Sequence, residues 1–168
     1  LIPSPPMPIE DTLVATAVHA WKTEIDKAAK YFEGLTDAQL QAPIAPGKNR
    51  LVYLRGHLIA VHDRMIPLLG IGERLHPELD APFLHDADAA HASAPSPSAA
   101  DLQRWWDEVH PILWSAFTTW TAADWAARHT AVTEADFATN PLRNRLAVLL
   151  SRTSHVSYHI GQVVLVKK

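Results

Sequence analysis

The segment His155-Val156-Ser157-Tyr158-His159 places two imidazoles four residues apart. On an α-helix, positions i and i+4 lie one above the other with Cβ atoms roughly 5–6 Å apart. Both rings can then reach one transition-metal ion at ~2.0–2.1 Å. Two ligands do not complete a site, so a third has to come from elsewhere in the fold. The plainer reading is two polar residues on a partly exposed helix face. With ten His in 168 residues, a chance pair at this spacing weighs about as much as a metal pair. On the expected last helix, Leu146, Leu149, Leu150, Thr153, Val156 and Ile160 form the main apolar stripe. His155 and His159 lie outside it. Val148, Gln162 and Val166 form a second band, and a helix apolar on more than one side is usually enclosed, which favours a groove over open water for the pair.

His57 and His62 are the candidates for the third ligand. At ~100° per residue, each lies about 70° from the centre of the Leu54, Leu58, Val61 and Met65 stripe, on opposite flanks. Periodicity therefore leaves the choice open, and each can equally be a hydrogen-bonded histidine at the core boundary. His62, followed by Asp63 and Arg64, is the more solvent-tolerant. His19, His76, His85, His91, His110 and His129 read as structural or solvated.

Other chemistries fail on spacing. No Glu follows His155 to make a HExxH metalloprotease pair. A di-iron carboxylate bundle needs two Glu-x-x-His motifs, and Glu73-Arg74-Leu75-His76 is a single match in a loop. There is no Gly-x-Ser-x-Gly elbow, phosphate loop or GxGxxG turn. The chain has no Cys, which excludes disulfides, Cys-based zinc knuckles, iron–sulfur clusters and an internal thiol nucleophile. A cysteine-free chain also suits a reducing compartment, and a cytoplasmic location is expected. A formal net charge of −3 gives no reason to expect nucleic acid or an anionic membrane as a partner. The six Trp then read as core rather than as a base-stacking platform. No apolar run approaches the ~18 residues of a membrane helix. Leu1-Ile2-Pro3-Ser4-Pro5-Pro6 is too proline-rich for a signal segment, and the missing initial Met points to trimming or to an engineered boundary.

The elements that would position these histidines are helical. Residues 1–9 form an extended, proline-rich lead-in. From Ile9 to Glu33, apolar residues recur at helix spacing, and Gly34 is a natural stop. Thr36 with Gln39 resembles a capping box. A second long helix is expected from about Asn49 to Gly70, with Pro67 bending its last turn. Residues 73–98 form a long irregular connection, of the kind that is either mobile or functional. Ser98 or Asp101 caps a third helix, which Pro111 should kink or divide. Residues 126–140 are ambiguous, and a last helix is expected from about Leu142 to Val166. The expectation is an all-α chain, a single domain over 1–168, built as an antiparallel four-helix bundle. At 48% hydrophobic residues, a chain of this length can bury roughly 68–70% of its unfolded surface.

Gly56-His57-Leu58, followed by His62-Asp63-Arg64, resembles the second-helix pattern of the DinB/YfiT-like superfamily. The stretch from Ser154 to Gln162 resembles the last-helix signature of that family, HxxxHxGQ. The resemblance extends over most of the chain in layout. It implies a DinB-like four-helix bundle with a three-His site for a divalent metal, zinc or nickel, whose ligands are His57, His155 and His159. It also implies a homodimer, and a thiol-dependent S-transferase or hydrolase acting on a small-molecule substrate. The thiol would be of low molecular weight, such as mycothiol or bacillithiol, and without Cys in the chain it has to arrive as a cosubstrate. The alternatives are a non-catalytic metal-binding or stress-related interaction bundle, and a plain helical scaffold with incidental histidines. Tyr158, Gln162 and His62 neighbour the candidate ligands, but none is marked as a general base.

Overall fold

The computed structural model describes residues 7–166. Most of the proline-rich lead-in, residues 1–6, lies outside the described residues; Pro8 is extended and the first helix begins at Ile9. Helix α1 (Ile9–Phe32) buries Val18, Trp21, Ile25, Ala28 and Phe32. Their alternating steps of three and four make one continuous apolar face. Glu10 and Asp11 sit in its first turn and Lys30 in its last, the charge order that the helix dipole favours. Gly34, at φ 73°, turns the chain away. Helix α2 (Asp37–Leu40) carries the Thr36–Gln39 capping box that its sequence predicts.

Helix α3 (Leu51–Leu68) starts two residues later than the pattern around Asn49 implies. The chain before it is tied down from afar: the Arg50 backbone N–H donates to Asp88 Oδ2 at 2.7 Å, and its guanidinium grips the same carboxylate. Nearly the whole circumference of α3 is buried, because it packs along α4 and also meets α7 and the segment that follows it. His62 therefore lies at 0% exposure. The solvent tolerance inferred from Asp63 and Arg64 is corrected: Asp63 is itself fully buried, accepting from Arg74 Nε and from the backbone N–H groups of Leu75 and His76 at 2.8–3.1 Å.

Between α3 and α4 the chain forms a 3-10 turn (Pro77–Leu79), a π-helical turn (Ala81–His85) and a second 3-10 turn (Asp88–His91). Leu79 and Phe83 anchor these turns in the core. Helix α4 (Ala99–Thr119), capped by Ser98 and Asp101, runs unbroken through Pro111, so that proline does not divide it. Helix α5 (Ala122–Ala126) follows, and the ambiguous stretch resolves into turns around α6 (Glu134–Thr139). Helix α7 (Arg145–Val163) begins where Asn144 Oδ1 accepts from the Ala147 N–H at 2.9 Å. It buries Leu149, Val156 and Val163; Leu150, counted in the expected stripe, is 49% exposed. Among the described residues the chain is all-helical, with two isolated bridges and no strand. The long helices pack α1 along α7 and α3 along α4, with α3 also touching α7. Among the described residues, no helix is long and apolar enough to cross a membrane.

Candidate metal centre

Helix α7 stacks His155 and His159 on one face, as their i, i+4 spacing requires. The α3–α7 contact brings His57 to the same point. His57 Nε2 lies 3.0 Å from His155 Nε2, and His159 Nε2 lies 3.0 Å from the same atom. All three ligand atoms fall within 4.8 Å of one another, on half-buried side chains. Tetrahedral ligands at the usual Zn–N distance stand roughly 3.3 Å apart, so the nitrogens are already near the spacing that a shared ion needs.

Hydrogen bonds at the far side of two rings decide which nitrogen faces inward. His57 Nδ1–H donates to the Phe83 carbonyl at 2.7 Å. His159 Nδ1–H donates to Gln162 Oε1 at 2.7 Å, while Gln162 Nε2 donates to the Tyr158 hydroxyl at 3.2 Å. With Nδ1 protonated, a neutral ring presents a lone pair at Nε2. Two lone pairs thus converge on His155 Nε2, and one N–H there can satisfy only one of them. A cation at the focus satisfies all three, and a carbonyl behind the ring is the usual support of a metal-ligating histidine. His155 lacks such support: its Nδ1 is buried without a partner, and its ring is held by position alone.

The rings are also kept neutral, as metal ligation demands. Burial lowers His155 to about 3, with His159, His57 and Arg152 adding repulsion. Burial lowers His57 and His159 as well, against the opposing pull of the Phe83 carbonyl on one and Gln162 on the other.

The connection between α3 and α4 reaches the site through Phe83. A Cβ on Gly56 would lie within 2.6 Å of Phe83 Cζ and closer still to two other ring atoms. Only glycine lets the Phe83 ring sit against α3, and with it the carbonyl that orients His57. Tyr53, one turn before His57, stacks on its ring at 6.0 Å between centroids and 12° between planes.

His62 is elsewhere. Its Nδ1–H donates to the Leu58 carbonyl at 2.7 Å, and its Nε2 accepts from Trp21 Nε1–H at 3.3 Å. Both nitrogens are occupied inside the core, where burial and the neighbouring His110 push its pKa well down. His110 is likewise buried, with Nδ1–H donating to the Trp106 carbonyl. His76, expected to be solvated, is 9% exposed and pairs with Glu108 at 2.7 Å. His91 bonds Asp86 and His85 meets Arg64 at the surface; neither they nor His19 and His129 join the cluster.

Sequence reasoning missed Phe83, because a main-chain carbonyl has no residue signature. It also passed over Arg152, three residues before His155 and so on the same helical face. That spacing was legible. Gln162 was noticed as a neighbour, and its i+3 relation to His159 is what lets it bond that ring.

No curated protein matches the chain. A sequence model of the DinB superfamily aligns with residues 20–163, from within α1 to the end of α7 and across all three converging histidines, and the chain belongs to the DinB superfamily.

Proposed function

We propose that the protein is a divalent-metal-dependent enzyme acting on a small molecule, with His57, His155 and His159 as metal ligands. The observation that carries this reading is the convergence of three Nε2 atoms, two of them with Nδ1–H held by a carbonyl-type oxygen behind the ring. Three imidazoles suit zinc or nickel and leave room for a further ligand. A divalent ion held there supplies Lewis acidity and activates a nucleophile at neutral pH.

Thiol transfer fits the surroundings better than hydrolysis. The three rings carry no carboxylate among their hydrogen-bond partners, and none of the residues around them is marked as a base for water. A thiol, with an ordinary pKa near 8.5, loses its proton far more readily than water when it coordinates a metal. The chain has no Cys, so the thiol is a low-molecular-weight cosubstrate. In this reading the four long helices make an antiparallel four-helix bundle, the protein acts as a homodimer, and a cytoplasmic setting supplies the reduced thiol. The residues of the chain have three tasks: Phe83 and Gln162 orient the rings, Tyr53 covers His57, and burial keeps the rings unprotonated.

Elemental analysis of purified protein, with His155→Ala beside it, tests the site; near one zinc or nickel per chain, lost in the variant, is expected. A screen of thiols against electrophiles, with and without chelator, tests the reaction. Chelator-sensitive turnover that requires a thiol supports the transferase. Metal without turnover in any pairing favours a binding bundle instead.

A further inference from the structure

Among the described residues, Arg152 is the one arginine with no hydrogen bond, ion pair or aromatic contact. Arg50, Arg64, Arg74, Arg104, Arg128 and Arg143 each pair with a carboxylate. Arg55 bonds Gln103 and lies over Phe32, and Arg145 lies over Trp120. Arg152 is half-buried all the same, with its Nε shielded from solvent and unpartnered. The sequence offers no local partner either. Positions 148, 149, 155 and 156, the neighbours one turn away on the helix surface, are Val, Leu, His and Val.

The location of this bare cation is specific. It sits one turn before His155 on α7, and its charge is felt at His57, His62 and His155, lowering each. Burial lowers its own pKa too. Three neutral imidazoles leave the charge of a divalent ion undiminished, and Arg152 adds a further positive charge beside it. No carboxylate bonds the three rings to offset that charge, so an anionic ligand would be favoured there. A guanidinium presents a planar fork of donors that matches carboxylate and phosphate oxygens two at a time.

We propose that Arg152 anchors the substrate of the three-His centre, and that this substrate carries an oxyanion, a carboxylate or a phosphate or phosphonate group, which the guanidinium grips while the reacting part of the molecule faces the Nε2 focus. This rests on the metal-centre reading for the role of the anchored molecule, but the anion contact itself belongs to Arg152 and is measured separately.

The test is calorimetric titration of the full chain, chelator-treated and zinc-loaded, with acetate, methylphosphonate, inorganic phosphate and the neutral analogue acetamide. Wild type, Arg152→Gln and Arg152→Lys are compared, with zinc stoichiometry measured for each. At least one oxyanion is expected to bind more tightly than acetamide, and Arg152→Gln to weaken it by about tenfold or more, the usual scale of a charge-assisted hydrogen bond. Arg152→Lys restores part of the affinity, since it keeps the charge and loses the fork. The preferred probe separates carboxylate from phosphate chemistry. Removing the cation should also tighten zinc binding when no anion is present, a change that a merely structural arginine would not produce. Equal oxyanion affinity in wild type and Arg152→Gln, or no oxyanion binding above acetamide, overturns the proposal even if zinc is bound. Arg152-dependent anion binding in a protein that takes up no zinc would instead overturn the metal-centre reading and leave the anion site standing. Should Arg152→Gln fail to fold, Arg152→Met, which keeps the aliphatic stem and removes the charge, carries the same decision.

Discussion

The Phe83 ring packs onto Gly56 so closely that a Cβ there would fall within 2.6 Å of its Cζ, and the carbonyl of the same Phe83 accepts the Nδ1–H of His57 at 2.7 Å. One residue of the α3–α4 connection thus reads the absence of a side chain at position 56 and sets the ring orientation at position 57. Gly56→Ala should push Phe83 outward and free His57 to rotate. Overpacking of this kind costs about 1–3 kcal/mol, and loss of a hydrogen bond behind a metal ligand typically costs 10–100-fold in metal affinity. A chelator competition assay alongside thermal melting reads both; unchanged zinc affinity in a folded Gly56→Ala protein would refute the coupling.

The two α3 histidines should separate cleanly. His57→Ala removes a lone pair from the focus, and metal content should fall far below one per chain. His62→Ala should keep the metal, because His62 spends both nitrogens on Leu58 and Trp21. It strands a buried Trp21 N–H, at a cost of roughly 1–3 kcal/mol. Metal analysis and denaturant melts of the two variants should therefore give opposite profiles.

Asp63 stitches the connection to α3 by accepting from Arg74 Nε at 2.9 Å and from two backbone N–H groups. Asp63→Ala strands Arg74 Nε and two backbone N–H donors while Arg74 keeps its 2.6 Å pair with Asp80, and leaving such buried donors unsatisfied costs about 1–3 kcal/mol each. Limited proteolysis should then cut the variant within residues 73–80 much faster than the wild type.

Acid should unfold the metal-free protein in two overlapping stages. His110 is lowered to about 4 by burial, so the unfolded chain takes up its proton first. Its contribution is intact above the ordinary histidine pKa of 6.5 and fades as pH falls from there to about 4. His57, His62, His155 and His159, all lowered, act in the same direction. Asp80 is held at about 2, chiefly by its hydrogen bond from Arg74 and also by that from Arg64. Its contribution is present above the ordinary carboxylate value of 3.8 and is lost between there and about 2. In chelator, Asp80→Asn should flatten the lower stage of a stability-versus-pH curve and spare the upper one.

How much was legible varies with the kind of interaction. The i, i+4 relation of His155 and His159, the Thr36–Gln39 cap and the apolar face of α1 are local geometry, so residue spacing alone exposes them. Pro111 does not divide its helix because Leu102, Trp106, Val109, Leu113 and Phe117 on either side of it are all buried; tertiary packing outweighs one missing N–H. Leu150 misled because periodicity gives a stripe, and only the neighbouring helices show how wide it is.

By itself, then, the sequence determined the helical periods, the caps and the pair on α7, since each depends on residues within one or two turns. The absence of Cys likewise confines any thiol to a visiting molecule. Tertiary structure decided which of His57 and His62 meets the α7 pair, a choice that their almost symmetric flanking of the α3 stripe leaves open in projection. One flank faces α7 and the focus of lone pairs; the other is sealed against Trp21. It also supplied the Phe83 carbonyl and left Arg152 unpaired, because both depend on which segments meet in space, and residues 98 apart in the chain carry no local record of meeting.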